Sequence, residues 1–142
     1  MKTSVDLHQL VECVGDAIIV SDANEKIVLW NPSATRIFGY AEEEALGQTL
    51  DLIVPERQRQ RHSEGYSKSM ETGTTRYGTS LLKVPAKHKD GSTLSIAFTV
   101  GMLFDDHHQA NGVVAIIRDE TARFAEERAL KKRIADLENP TT

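Results

Sequence analysis

Histidine is the residue type in this sequence with the widest chemical range, since a neutral imidazole can bind a metal or transfer a proton. His107 and His108 are adjacent, so their rings diverge, and no third ligand stands at metal spacing; this argues against a metal site built from protein ligands alone. His62 differs, because it shares one face of a predicted helix with Tyr66 and Met70, at spacings of i, i+4 and i+8. His62 is therefore the first candidate for function.

The carboxylates offer no comparable arrangement for catalysis. Asp105 and Asp106 lie in a polar loop without a partnered base, and Asp16, Asp22 and Asp90 are explained by turns or helix caps. No glycine-rich phosphate loop occurs, and no segment has the motifs of a kinase or a cyclase. The sequence therefore predicts a binding module and not an enzyme.

Length and composition predict one small globular domain. The chain has 142 residues, of which 39% are hydrophobic and 27% charged. No apolar run approaches the ~20 residues that span a bilayer, so we expect no membrane association. The net charge of −4 argues against a nucleic-acid partner, and the basic cluster of Arg57, Arg59 and Arg61 is interpreted as a solvated helix face. Because the lone Cys13 cannot form an internal disulfide, we expect a reducing, cytoplasmic location.

The elements that must position these residues follow from apolar periodicity and from turn residues. Asn31 is a good helix N-cap, Pro32 suits the first helical position, and Gly39 and Gly73 suit left-handed stops. The predicted order is a helix over 5–14, strands over 17–22 and 26–30, helices over 31–39, 42–46, 49–53 and 56–73, strands over 79–88, 93–102 and 112–118, and a helix from 120 that ends at 139–140.

The last three strands carry the clearest signals for a sheet. Asp90-Gly91 is a strong hairpin turn, and residues 93–102 alternate so that Leu94, Ile96, Phe98, Val100 and Met102 face one way. Pro85 predicts that its strand lies at a sheet edge, whereas the continuous apolar run of residues 112–118 predicts a central strand. We expect an α+β fold in which a five-stranded antiparallel sheet is covered on one face by the middle helices.

Several short runs, in order along the chain, resemble the PAS domain family. They are DAIIV at 16–20, WNPSA at 30–34, FGY at 38–40 followed by Glu43-Glu44 and Leu46-Gly47, KDGS at 89–92 and RDET at 118–121. The resemblance covers roughly residues 10–125 and implies a PAS fold with sheet order 2-1-5-4-3. It implies an N-terminal amphipathic helix over 1–15, a PAS core over 16–119, and a C-terminal signalling helix and tail over 120–142. It also implies a sensory module whose signal leaves through the terminal helices.

Within the family, residues 54–62 are closest in pattern to haem-PAS oxygen sensors, whose proximal histidine follows a proline by the same seven residues as His62 follows Pro55. The resemblance implies haem b bound through its iron by His62, with Lys68 and Arg76 near the propionates and Phe98 and Val100 on the distal side. A neutral imidazole on a helix is an ordinary axial ligand for haem iron. The implied cofactor contacts are His62, Tyr66, Lys68, Arg76, Leu82, Phe98 and Val100.

Leu82 departs from the haem-PAS pattern. It aligns with the distal arginine that hydrogen-bonds oxygen in several such sensors, so an apolar distal pocket would favour carbon monoxide, nitric oxide or a redox change as the signal. Leu82 is equally consistent with a filled cavity, a cofactor-free interaction module, or a different small ligand. Light-driven cysteine chemistry is not expected, because Cys13 precedes the core and the Asn-Cys-Arg-Phe-Leu-Gln motif is absent.

The two terminal helices predict a homodimer. The N-terminal helix carries Leu7, Leu10 and Val11 on one side, to pack against a partner or across the sheet. Leu130, Ile134 and Leu137 of the final helix are spaced 4 then 3, as in a short coiled coil, although the helix could also fold back on its own domain. Since no effector follows, we expect the output to be a separate histidine kinase or regulator chain, or a segment absent from this sequence.

Overall fold

The computed structural model describes residues 4–138. Its five strands form one antiparallel sheet in the order β2-β1-β5-β4-β3, which confirms the expected PAS topology and α+β class. Strand β5 is central and β3 is at an edge, as the apolar run and Pro85 predicted. The strands are β1 (Ala17–Asp22), β2 (Ile27–Trp30), β3 (Leu82–Lys87), β4 (Thr93–Phe104) and β5 (Ala110–Asp119).

Within residues 4–138, five α-helices and two short 3₁₀ turns accompany the sheet. The helices are α1 (Leu7–Cys13), α2 (Pro32–Phe38), α3 (Glu42–Ala45), α4 (Arg59–Thr72) and α5 (Thr121–Glu138), and the turns are Leu50–Leu52 and Glu56–Gln58. The end expected for the last helix at 139–140 lies outside the described residues.

The largest differences from the predicted boundaries are two starts, each three residues later than expected. The long middle helix begins at Arg59 and not at residue 56, because Gln58 N–H bonds the carbonyl of Pro55 at 2.9 Å and winds the preceding turn as 3₁₀. The first strand after it begins at Leu82 and not at residue 79, because a turn precedes it, in which Ser80 N–H bonds the carbonyl of Tyr77 at 3.0 Å.

Helix α2 is fixed by the caps that its sequence predicted. The Asn31 side chain accepts from Ala34 N–H at 3.0 Å, and Gly39 ends the helix at φ 87° in the left-handed region. The same Asn31 side chain donates to the carbonyls of Val11 at 2.9 Å and Asp16 at 3.1 Å. Asn31 thereby connects α1 to α2, and α1 packs beside α2.

The core lies between the sheet and α2 and α3. Trp30, Phe38, Ile19 and Ile27 are fully buried there, and the rings of Trp30 and Phe38 lie 5.8 Å apart. The Trp30 indole N–H is satisfied by Thr35 Oγ1 at 3.0 Å, so its burial leaves no unpaired donor. Burying each such side chain contributes about 1.5–3 kcal/mol.

The other face of the sheet is apolar and only partly buried. The register places Ile18, Val20, Val114 and Ile116 on this face, opposite in direction to buried Ile19. Ile116 is 37% exposed. We call these four residues the outer face.

Helix α5 is fastened to the sheet only at its start. Asp119 Oδ1 accepts from Thr121 N–H at 2.9 Å, the Thr121 hydroxyl accepts from Ser95 N–H at 3.0 Å, and Glu120 N–H bonds the Ser95 carbonyl at 2.8 Å. None of the α5 residues is buried, and Leu137 is 78% exposed. The helix therefore does not fold back on its own domain.

Candidate functional site

The candidate site lies where α4 faces the inner side of the sheet. His62 and Met70 are half-buried and Tyr66 between them is buried, so the i, i+4, i+8 set forms the packed side of the helix. Gly65 lies on the exposed side of the helix, where nothing lies within 4 Å of the position that a Cβ would take. The spacing in the sequence thus identified the correct face of α4.

Tyr66 attaches α4 to the end of β1. Its hydroxyl lies 2.9 Å from Ser21 Oγ and donates to the carbonyl of Asp22 at 2.5 Å. Burial raises the pKa of the Tyr66 hydroxyl above its usual value, and the nearby charges of Asp22 and Glu25 act in the same direction. The hydroxyl therefore remains a neutral hydrogen-bonding group at physiological pH.

His62 contacts the turn between β1 and β2. Its Nδ1 lies 2.9 Å from Glu25 Oε1, with 37% of the His62 side chain exposed but only 12% of that of Glu25. An ionised carboxylate can only accept a hydrogen bond, so beside it a neutral imidazole carries its proton on Nδ1 and keeps a lone pair on Nε2. Within residues 4–138 nothing hydrogen-bonds Nε2, which leaves this nitrogen able to bind a further group.

The sequence did not identify Glu25. It lies in the short polar connection between the predicted strands over 17–22 and 26–30, and its partner is 37 positions away. The one signal in the sequence was the position of Glu25 in a turn between two predicted strands. In the structure, α4 crosses the end of the first of these strands. The backbone at Glu25 has φ 66°, in the left-handed region that residues other than glycine, asparagine and aspartate seldom adopt.

An apolar strip of strand residues lies on the same side of the sheet as α4. Leu82 pairs with Phe98, Phe98 with Ile117, and Val100 with Ala115, so the predicted distal residues share one face. Leu82, Phe98 and Val100 are all half-buried, in contrast to fully buried Ile19 on the same face. The helices therefore cover this strip incompletely and leave apolar surface for another group.

The two predicted propionate contacts lie away from that strip. Lys68 is exposed and follows His62 by six residues, which is about 240° around the helix. Arg76 is also exposed, with its guanidinium carbon 5.0 Å from the centre of the Tyr77 ring and Nη2 donating to the Tyr77 hydroxyl at 3.1 Å. The structure does not bring Lys68 or Arg76 together with His62.

Two surface depressions within residues 4–138 lie away from the space between α4 and the sheet. One runs along the exposed side of α4 past Glu64 and Lys68, and the other lies between α1 and α2, beside Glu12 and Pro32. Over the same residues, no cluster of three His, Cys, Asp or Glu side chains is suited to hold a metal ion. No helix in this part of the chain is both long and apolar enough to cross a bilayer.

A family comparison gives an independent view of this fold. The model for the PAS fold matches residues 6–119. A crystal structure of a PAS domain from Colwellia psychrerythraea superimposes with a TM-score of 0.71 at 24% identity, covering 82% of this chain and 95% of that one.

Two curated relatives are named as sensors. Sensor protein FixL of Bradyrhizobium diazoefficiens is 32% identical over 95 residues, which are 67% of this chain and 19% of FixL. Oxygen sensor protein DosP of Escherichia coli is 25% identical over 126 residues, which are 87% of this chain and 15% of DosP. The chain thus spans less than a fifth of the length of either relative.

Proposed function

The chain belongs to the PAS family, a family of sensory and signal-transduction domains, and from that premise we propose that it senses its signal through haem b bound at His62. The observation that carries the proposal is the state of His62: a half-buried imidazole on the packed side of α4, with Nδ1 engaged by Glu25 and Nε2 without a partner. The relative DosP is named an oxygen sensor, which supports a small gas molecule as the class of signal.

Two features of the described residues support such a group. His62 Nε2 offers the lone pair that iron needs, and Leu82, Phe98 and Val100 offer half-buried apolar surface for a porphyrin. Bound haem would supply an iron atom that binds a diatomic gas or changes oxidation state. The chain would hold that iron through His62 and exclude water from it with the apolar strip. Lys68 and Arg76 are exposed and lie away from His62, so the structure offers no counter-charge for the propionates at this position.

The apolar side chain of Leu82 bears on which molecule the proposed haem would detect. No hydrogen-bond donor comes from this position, so bound oxygen would lack polar support there, whereas carbon monoxide and nitric oxide need less of it. We therefore propose carbon monoxide, nitric oxide or a redox change as the signal, ahead of oxygen.

The absorption spectrum of the purified, haem-reconstituted protein tests the proposal. We expect a Soret band that is lost or shifted in His62→Ala and unchanged in His107→Ala, since His107 is an exposed loop residue. Reconstituted wild-type protein without a Soret band would overturn haem binding.

A second candidate function is a cofactor-free dimerisation and interaction module. It is favoured by the partly exposed outer face and by the exposed apolar residues of the terminal helices, among them Leu10 at 47% and Leu130 at 58% exposure. This module would form a homodimer through those helices and dock a separate histidine kinase or regulator chain in the cytoplasm. A different small ligand on the apolar strip is the third candidate.

Sedimentation distinguishes the second candidate. The second candidate predicts a colourless dimer at micromolar concentration, which dissociates more readily when Leu10 or Leu130 is replaced by a polar residue, because each would bury apolar surface in the dimer. A monomer at that concentration would contradict it.

A further inference from the structure

We propose that the ion pair between Asp16 and Arg118 couples the two terminal helices, so that the position of α1 sets the direction of α5. This coupling requires neither haem nor any other ligand on the inner face of the sheet. The Arg118 guanidinium bonds both carboxylate oxygens of Asp16, with Nε 3.1 Å from Oδ1 and Nη2 3.2 Å from Oδ2. A two-point contact between arginine and a carboxylate fixes the relative direction of the two groups as well as their distance.

The segment that joins α1 to β1 is held mainly by hydrogen bonds. None of the α1 residues is buried. Side chains at the start of α2 instead bond main-chain carbonyls of residues 11–16: Asn31 bonds those of Val11 and Asp16, Ser33 that of Val14 at 2.6 Å, and Arg36 that of Gly15 at 2.9 Å. Because the Asn31 amide donates to both Val11 and Asp16, the end of α1 and Asp16 depend on the same group. A displacement of α1 is therefore carried to Asp16.

The start of α5 has one attachment on each side of β5. Strand β5 lies between β4 and β1 in the sheet. The bonds to Ser95 join the start of α5 to β4, whereas Arg118 joins it to Asp16, the residue before β1. A helix attached at one point pivots about that point, but attachments on opposite sides fix its direction. Loss of the ion pair therefore leaves α5 free to tilt about Ser95.

The ion pair is exposed enough to open readily. The Arg118 side chain is 67% exposed and that of Asp16 is 30% exposed, so water competes for both groups. Hydrogen bonds of 3.1 and 3.2 Å are broken when one partner moves away by about 1 Å. A small movement of α1 thus reaches α5 while the pairing of the strands stays intact.

The experiment measures the direction of α5 relative to the sheet by pulsed electron paramagnetic resonance. Nitroxide labels are placed at Lys83→Cys in β3 and Lys132→Cys in α5, both exposed positions, in a Cys13→Ser background. Dilution with unlabelled protein removes distances between copies. Position 132 is about 17 Å along α5, so a tilt of about 7° moves its label by about 2 Å.

Two substitutions test the coupling from its two ends. Leu10→Pro disrupts α1, because it removes the N–H that bonds the Asp6 carbonyl at 3.0 Å, and Arg118→Gln removes the ion pair. We expect each to widen the distance distribution by about 2 Å or more, and the two together to widen it no further. The control Arg123→Gln makes the same charge change within α5, where Arg123 pairs with Glu127 at 3.6 Å, and should match the wild type.

The outcomes are independent of haem binding, since no readout involves a cofactor. Wild-type distances in Arg118→Gln or in Leu10→Pro would overturn the coupling. A further widening by Leu10→Pro in the Arg118→Gln background would also overturn it, because α1 would then act on α5 by another route. If Leu10→Pro fails to fold, Asp6→Ala replaces it, since this change removes only the cap that accepts from Gln9 N–H at 3.2 Å, and the same criteria apply.

Discussion

Helices α2 and α4 lie on the same face of the sheet but are attached to it in different ways. The seven-residue α2 buries Ser33, Ala34 and Phe38 and begins at the fully buried Asn31. The 14-residue α4 buries only Tyr66. The longer helix is therefore held by fewer apolar contacts, and segments held in this way open at a lower free-energy cost than the rest of a domain. The comparison indicates that α2 maintains the fold, whereas α4 is able to adjust to a ligand.

The largest expected effect is that of Phe38→Ala in α2. Because Phe38 is fully buried, removing its ring should lower the free energy of unfolding by about 3–5 kcal/mol. Denaturant unfolding measures this loss. Met70→Ala, at a half-buried position on α4, is the matched control and should cost clearly less; equal losses in the two variants would remove the distinction between the helices.

The next effect concerns the buried attachment of α4. Tyr66→Phe removes the hydroxyl that bonds Asp22 and Ser21, and should lower the free energy of unfolding by about 1–3 kcal/mol.

The same variant predicts a pH dependence. The pKa of Tyr66 is raised above its usual 10.0, so folding favours the neutral phenol; its contribution is complete below pH 10.0 and is lost as pH rises through the folded-state pKa. Above pH 10.0 the unfolding free energy of the wild type should fall more steeply than that of Tyr66→Phe. If the two proteins lost unfolding free energy equally with rising pH, burial would not raise the pKa of Tyr66.

The smallest effect should come from an exposed contact near α2. Lys89 Nζ lies 2.7 Å from Glu44 Oε2, and this bond, followed by that from Ala41 N–H, lowers the pKa of Glu44 below 4.5. The contribution of Glu44 is present above pH 4.5 and is lost as pH falls through the lowered pKa. Glu44→Gln should therefore change the melting temperature less than Tyr66→Phe, and only above that range. A larger change in melting temperature for Glu44→Gln than for Tyr66→Phe would mean that exposed ion pairs stabilise the domain more than the buried attachment of α4.

Local signals in the sequence were sufficient for much of the fold. The caps at Asn31 and Gly39, the edge position of Pro85 and the alternation through Phe98 and Val100 each depend on neighbouring residues, and each agrees with the structure. The boundaries of β3 and α4 were less predictable, because turns of 3₁₀ or irregular type compete there with regular elements.

The contacts of the candidate site could not be predicted in the same way. His62 was identified from its spacing after Pro55, but its bond to Glu25 depends on how α4 lies across the β1–β2 turn, which no local pattern encodes. Tyr66 likewise meets Ser21, 45 positions earlier in the chain. Lys68 was assigned by alignment alone, and helix geometry turns it away from the apolar strip.

Helix α5 is bonded to the sheet at Ser95 and Thr121 and is unpacked along the rest of its length, so it can act as a rigid lever. The fulcrum is the bonded joint with β4, the strand that also carries Phe98 and Val100. An arm of 18 residues is about 27 Å long, so a tilt of about 5° at the joint displaces the far end by about 2 Å. A shift too small to disturb the packing of the sheet is thereby magnified at the far end of the helix, where Leu137 is 78% exposed.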